Sequence, residues 1–125
     1  MLVARVDFVG IPTQDMERAK AFYGDVLGLR RDEHSESEFW AGETCFSLWM
    51  PEWGGMDFAP QELAMPALRV DDVAAARAEL EAKGVQFQGD VLDTGVCHMA
   101  IFKDPDGNGL MLHKRYAPYP GDSTT

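Results

Sequence analysis

The sequence predicts an α+β chain of two βαβββ modules, 1–60 and 61–115, whose mixed sheets curl around a ligand cup, with 116–125 as a flexible tail. Three observations carry that expectation. The order strand, capped helix, three strands is met twice. The second round keeps register with the first: IPTQDMERAKA at 11–21 lies over LRVDDVAAARA at 68–78, 57 residues further on. Asp15 then falls on Asp72, Met16 on Val73, Ala19 on Ala76, Lys20 on Arg77 and Ala21 on Ala78, as an internal repeat requires. Finally, each module has a single apolar helix stripe, which can cover only one face of its sheet. The other faces are too apolar to stand in water, so they must enclose a cavity or meet a partner.

Residues 3–11 alternate, with Val6, Phe8 and Gly10 on one face and Val9 and Ile11 on the other, the period of a strand. Pro12 and Thr13 end it. Thr13 or Gln14 opens a helix whose first turn carries Asp15 and Glu17, the charge that a helix N-terminus favours. Met16, Ala19, Phe22, Tyr23, Val26 and Leu27 recur at helical spacing, and Gly28 is the natural stop. Strands are expected at 29–33, 38–40 and 44–49, the last two joined by a turn at Ala41 and Gly42. Pro51, Gly54, Gly55 and Pro60 make 51–62 a connector.

The second module repeats the plan with a strand at 63–70, a cap at Asp71 or Asp72, and an alanine-rich helix over 73–83 ending at Gly84. Strands follow at 85–88, 96–102 and 110–114. Asp104-Pro105-Asp106-Gly107 separates the last two, with proline where a turn needs a preset φ and glycine where a side chain would clash. In the final strand Leu110 and Leu112 face one way, Met111 and His113 the other.

Composition narrows the function classes. An apolar content of 46% excludes a disordered chain. A formal charge of −10 argues against nucleic-acid backbones and anionic membranes as partners, and favours a cationic small ligand. No run approaches membrane-spanning length, and residues 1–10 read as a strand rather than a signal peptide. Cys45 and Cys97 make no disulfide framework, so a cytoplasmic protein with reduced thiols is expected.

Four stretches carry a family likeness: FVGIPTQD at 8–15, AFYGDVLGL at 21–29, LRVDD at 68–72 and FKDPDGN at 102–108. In them the chain resembles the vicinal oxygen chelate superfamily, which groups glyoxalase I, bleomycin-resistance proteins and extradiol dioxygenases. The resemblance implies that superfamily's fold, a ligand cup in each pair of modules, and a homodimer or pseudo-dimer. Its metal enzymes hold a divalent ion with histidines or glutamines on the first strand of each module and glutamates on the last. The matching positions here are Phe8, Ser47, Met65 and Met111. Hard and borderline divalent ions want carboxylate or imidazole, which none of these supplies, and thioether suits only soft copper(I). The shared metal site is therefore expected to be lost, and no cofactor is expected.

The residues expected to line the ligand site are Phe8, Trp40, Cys45, Ser47, Trp49, Met65, Met111 and His113. Trp40, Trp49 and Trp53 form an aromatic slot with an acidic rim of Glu43, Glu52 and Asp57, or else pack an ordinary core or dimer interface. His98, His113 and Cys97 are the alternative, as a displaced metal site. Cys97 and His98 are adjacent on one strand and so point to opposite faces, which disfavours a nucleophile–base pair. His34, among Glu33, Glu36 and Glu38, is read as solvated, Cys45 as a small buried apolar residue, and Asp7 as a weak base candidate.

The first functional expectation is a metal-free binding protein that sequesters an aromatic or cationic small molecule, with no nucleic-acid or membrane partner. The alternative is a glyoxalase- or dioxygenase-like metalloenzyme with a non-standard ligand set. A third reading gives the apolar faces to assembly.

Overall fold

A computed structural model describes residues 2–118. The chain forms two compact units, each a four-stranded mixed sheet with its helix. The first takes the chain up to Leu63 together with Asp104–Asn108, and the second holds Ala64–Lys103 and the strand from Gly109 on.

The first unit runs β1 (Val9–Pro12), α1 (Met16–Ala21) continued by a π-helical turn at Phe22–Val26, β2 (Arg30–Arg31), β3 (Glu38–Ala41) and β4 (Thr44–Trp49). Its strand order is β1-β4-β3-β2, with β1 parallel to β4 and the other pairs antiparallel. Ile11, Phe39, Phe46 and Leu48 are buried on one face of the sheet, and Ala19, Phe22 and Tyr23 are buried on the helical segment. The ring of Tyr23 meets Phe46 edge-on at 6.3 Å, a geometry that aromatic quadrupoles favour. Each buried Ile, Leu or Phe side chain among these contributes on the order of 1.5–3 kcal/mol by leaving water.

The second unit runs β5 (Ala67–Arg69), α2 (Val73–Ala82), β6 (Phe87–Asp93), β7 (Cys97–Lys103) and β8 (Gly109–Arg115), in the order β5-β8-β7-β6. Ala100, Phe102, Leu110 and Leu112 are buried on the sheet, and Val73 and Leu80 on the helix. Asp72 caps α2 by accepting from the Ala75 N–H at 2.9 Å, one of the two cap residues that the sequence offers.

Several expected boundaries move, each for a pairing reason. The first strand starts at Val9, not residue 3. Its partner β4 begins at Thr44 after a turn in which Gly42 takes φ +61°, so residues before Asp7 have no strand to lie against. The fifth strand shortens to Ala67–Arg69, paired with Met111–His113 of β8, because Pro66 just ahead of it has no N–H for the ladder. The sixth lengthens to Asp93 by taking in Gly89 and Asp90 as an irregularity, with Gly89 at φ +68°. A bulge accommodates such residues inside a strand. Helix α1 is capped by Asp15 rather than Thr13 or Gln14: its carboxylate accepts from the Arg18 N–H at 3.1 Å, while the Thr13 oxygen accepts from the Asp15 N–H just ahead of the helix. The connector holds one short 3₁₀ turn, Pro51–Gly54. Of the expected tail, 119–125 lie outside the described residues.

The turn Asp104–Asn108 makes the tightest polar cluster of the first unit. Asp104 is 5% exposed, Asn108 1% and Thr13 0%. One Asp104 oxygen accepts from the Tyr23 hydroxyl at 2.7 Å and Asn108 Nδ2 at 2.8 Å, the other from the N–H groups of Asp106 and Asn108 at 2.9 Å. Asn108 also donates to the Pro12 carbonyl at 2.8 Å and accepts from the Gln61 N–H at 2.8 Å. Asp106 accepts from the Thr13 hydroxyl at 2.6 Å, the Gln14 N–H at 2.9 Å and Arg18 at 3.0 Å. Burial, and then the Asp104 charge, push the Tyr23 hydroxyl far above its ordinary pKa, so it stays a donor.

Two outcomes follow for stability. Tyr23→Phe should lower the unfolding free energy by about 1.5–3 kcal/mol, the worth of a hydrogen bond to a charged acceptor, measured by urea denaturation. Asn108→Ala should cost more than Tyr23→Phe, because it strands the Pro12 carbonyl and the Gln61 N–H as well.

Candidate functional site

Strand alternation leaves each sheet a second face, and the side chains on it decide what the unit can hold. In the first unit Trp40 pairs with Cys45, Glu38 with Ser47, and Gly10 with Ser47 from the other side. Trp40, Cys45, Ser47 and Trp49 thus share one face, opposite Phe39, Phe46 and Leu48. Four of the eight expected lining residues are brought together in this way.

Gly10 has a structural task here. A Cβ placed on it would come within 3.2 Å of Trp49 Nε1, so the indole lies across β1 in the space that glycine leaves. The two tryptophans are held differently. Trp40 donates from Nε1 to Asp32 at 2.9 Å, and the Arg30 guanidinium stands 5.5 Å from its ring centroid. The indole N–H of Trp49 and the Ser47 hydroxyl have no hydrogen-bond partner among the described residues, so both can answer a ligand.

The charges of this face are few. The hydrogen bond from Trp40, with a second from the His34 N–H, holds the Asp32 carboxyl below its ordinary pKa. The Cys45 thiol donates to Glu38 at 3.6 Å. Burial, and then the neighbouring Glu38 charge, push that thiol up to about 11. Cys45 is therefore a protonated, buried wall residue at neutral pH and not a nucleophile.

The remaining expected residues separate from this group. Phe8 precedes β1 and is 55% exposed. Met65 precedes β5 and is half-buried. Met111 and His113 share a face of the second unit's sheet with Ala67, Arg69, Met99 and Ile101, opposite Leu110 and Leu112. Trp53 sits on the 3₁₀ turn and is 66% exposed, so the three tryptophans do not form one slot on the sheet. Of the expected acidic rim, Glu52 and Asp57 line a separate pocket of about 300 Å³ with Met50, Met56 and Phe58.

The displaced metal site is not assembled either. His113 pairs with Met99 while His98 pairs with Lys114, so the two imidazoles point to opposite faces of the sheet. His98 lies instead 3.4 Å from Asp93, whose carboxylate also accepts from Tyr116 at 2.7 Å. Cys97 is buried beside Thr94, sulfur to hydroxyl 3.0 Å. Among the described residues no three His, Cys, Asp or Glu side chains come together as a metal site. At the four positions where the resemblance places a metal, phenyl, hydroxyl and two thioethers do not fit a hard or borderline divalent ion.

Arg30, Asp32, Glu38 and Gly10 belong to this site and were not singled out from sequence. Glu38 was within reach, being two residues from Trp40 on one strand and so on the same face. Arg30 and Asp32 needed the β2–β3 register, which the charged loop between them conceals.

The comparisons agree with this architecture. The sequence pattern of the glyoxalase/bleomycin resistance protein/dioxygenase superfamily matches residues 5–112. TnmS3, an antibiotic binding protein from Streptomyces sp. CB03234, is 29% identical with a TM-score of 0.69, over 92% of this chain and 98% of that one. A glyoxalase/bleomycin resistance protein from the same organism is 30% identical with a TM-score of 0.62, over 86% of this chain and 97% of that one. A superfamily member from Sphaerobacter thermophilus DSM 20745 is 22% identical with a TM-score of 0.75, over 90% and 98%, and speaks for the fold alone. No match was found among curated protein sequences. No helix among the described residues is long and apolar enough to cross a membrane. With its pattern matched over 5–112 and both sheets in place, the chain belongs to the glyoxalase/bleomycin resistance protein/dioxygenase superfamily.

Proposed function

We propose that the protein binds and sequesters a small aromatic or cationic molecule without a metal ion, using the sheet face that carries Trp40, Cys45, Ser47 and Trp49. The observation that carries this reading is the Trp49 indole, laid over Gly10 with its N–H unpartnered. An indole face beside a free donor and a free hydroxyl holds a planar molecule by stacking and orients it by hydrogen bonds. The Met111 and His113 face of the second unit is read in the same way. The antibiotic-binding role of TnmS3 supports the reading by likeness.

We also propose that the protein is a homodimer. Leu2, Val3 and Val6 are exposed on the segment leading into β1, a sheet edge that could take a further strand.

Titrating planar aromatic and cationic aromatic compounds while following tryptophan fluorescence and Tm tests the binding reading. A saturable change is expected, and Trp49→Ala should weaken it by about tenfold, roughly 1.4 kcal/mol. Emission and Tm unchanged across the panel would overturn it. Iodoacetamide should alkylate Cys45 in the folded protein about a hundredfold more slowly at pH 8 than an ordinary thiol, with the rate rising about tenfold per pH unit toward 11. Sedimentation equilibrium should return twice the mass of the 125-residue chain, and the monomer mass would refute the dimer.

A further inference from the structure

The two arginines of β2 are treated in opposite ways. Arg31 is paired with Asp25 at 3.1 Å, beside Phe39 on the face that the helix covers. Arg30 lies on the other face, directly across from Trp40, and its guanidinium stands 5.5 Å from that ring. Among the described residues Arg30 takes part in no hydrogen bond or ion pair. The carboxylates near the same tryptophan are already engaged. Asp32 accepts from Trp40 Nε1 and from the His34 and Ser35 N–H groups, and Glu38 accepts from Cys45. In a chain with 21 acidic and 11 basic residues, a guanidinium left without a carboxylate on a candidate binding face is informative.

The chemistry of that group narrows the ligand. A guanidinium resting on an indole keeps its N–H edges free, and they form a planar fork that fits a carboxylate through two parallel bonds. The stack on Trp40 also orders the side chain before a ligand arrives, so less rotamer freedom is lost on binding. A cationic group placed there meets like charge at contact distance. The net charge of −10 acts the other way, but charges farther than about 8 Å are largely screened at physiological salt. Contact therefore decides the sign of charge that this end of the face accepts.

We infer that the ligand is a planar aromatic acid, its ring packed against the Trp49 indole and its carboxylate held in the fork of Arg30. This rests on the sheet face being the ligand site, and it selects the aromatic over the cationic class. Arg30 is the residue that sets specificity, and Trp40 is the residue that positions it.

Calorimetric titration of the full chain with 2-naphthoate, 2-naphthamide and 2-naphthylmethylammonium tests the inference. The acid should bind at least about tenfold more tightly than the amide and more tightly still than the ammonium compound, with a preference that shrinks as salt is raised. Arg30→Gln should weaken the acid more than the amide and bring the two to within about twofold of each other, and Arg30→Lys should keep part of the preference. Equal or tighter binding of the ammonium compound, or an acid preference that survives Arg30→Gln, would overturn the inference and leave the sheet-face site standing. If none of the three binds, or if amide affinity survives Trp49→Ala, the site itself is lost and the inference with it.

Discussion

The buried carboxylate of Asp104 is the group on which the first unit depends. Its two oxygens take four donors, from Tyr23, Asn108 twice, and the Asp106 backbone. A carboxylate in an apolar interior costs several kcal/mol unless its lone pairs are met, so the turn is stable only in the conformation that supplies all four. That conformation sets Asn108 on the Pro12 carbonyl and Asp106 on Thr13 and Gln14. The end of β1 and the start of α1 are thereby tied to a turn that lies more than ninety residues away in sequence. Gly107, at φ +93°, closes the turn in a region that side chains avoid.

Fixing β1 has a functional consequence. Gly10 sits two residues before Pro12 on that strand, and it is the gap at Gly10 that lets the Trp49 indole lie over the sheet. The polar knot and the aromatic face are thus linked through one short strand. The face itself divides its work. Trp40 has its N–H held by Asp32 and its ring beneath Arg30, while Trp49 keeps a free N–H. One indole is tied to two charged neighbours and the other keeps its donor unpartnered among the described residues. Cys45 and Ser47 between them give a wall with one buried thiol and one free hydroxyl.

The four positions that the resemblance matches to metal ligands are unlike one another. Phe8, Ser47, Met65 and Met111 differ in where they stand as well as in what they carry, since Phe8 and Met65 precede their strands and only Ser47 and Met111 lie within them.

The residues by themselves determined the α+β class, the repeated module and its 57-residue offset, a helix cap at Asp71 or Asp72, the 44–49 strand, and the shared face of Cys45, Ser47 and Trp49. All of these follow from period, capping chemistry and alternation, which are local properties of the chain. They also place phenyl, hydroxyl and two thioethers at the four positions that the superfamily resemblance matches to metal ligands. What only the tertiary structure decided was non-local: that 2–6 run past the start of β4 and pair with no strand among the described residues, that His98 and His113 face apart, and that Asp104–Asn108 join the first unit. The placing of Arg30 over Trp40 is of the same kind. Each of these depends on the register between segments distant in sequence or separated by charged loops, and register is set by pairing partners and buried polar groups that no single stretch contains.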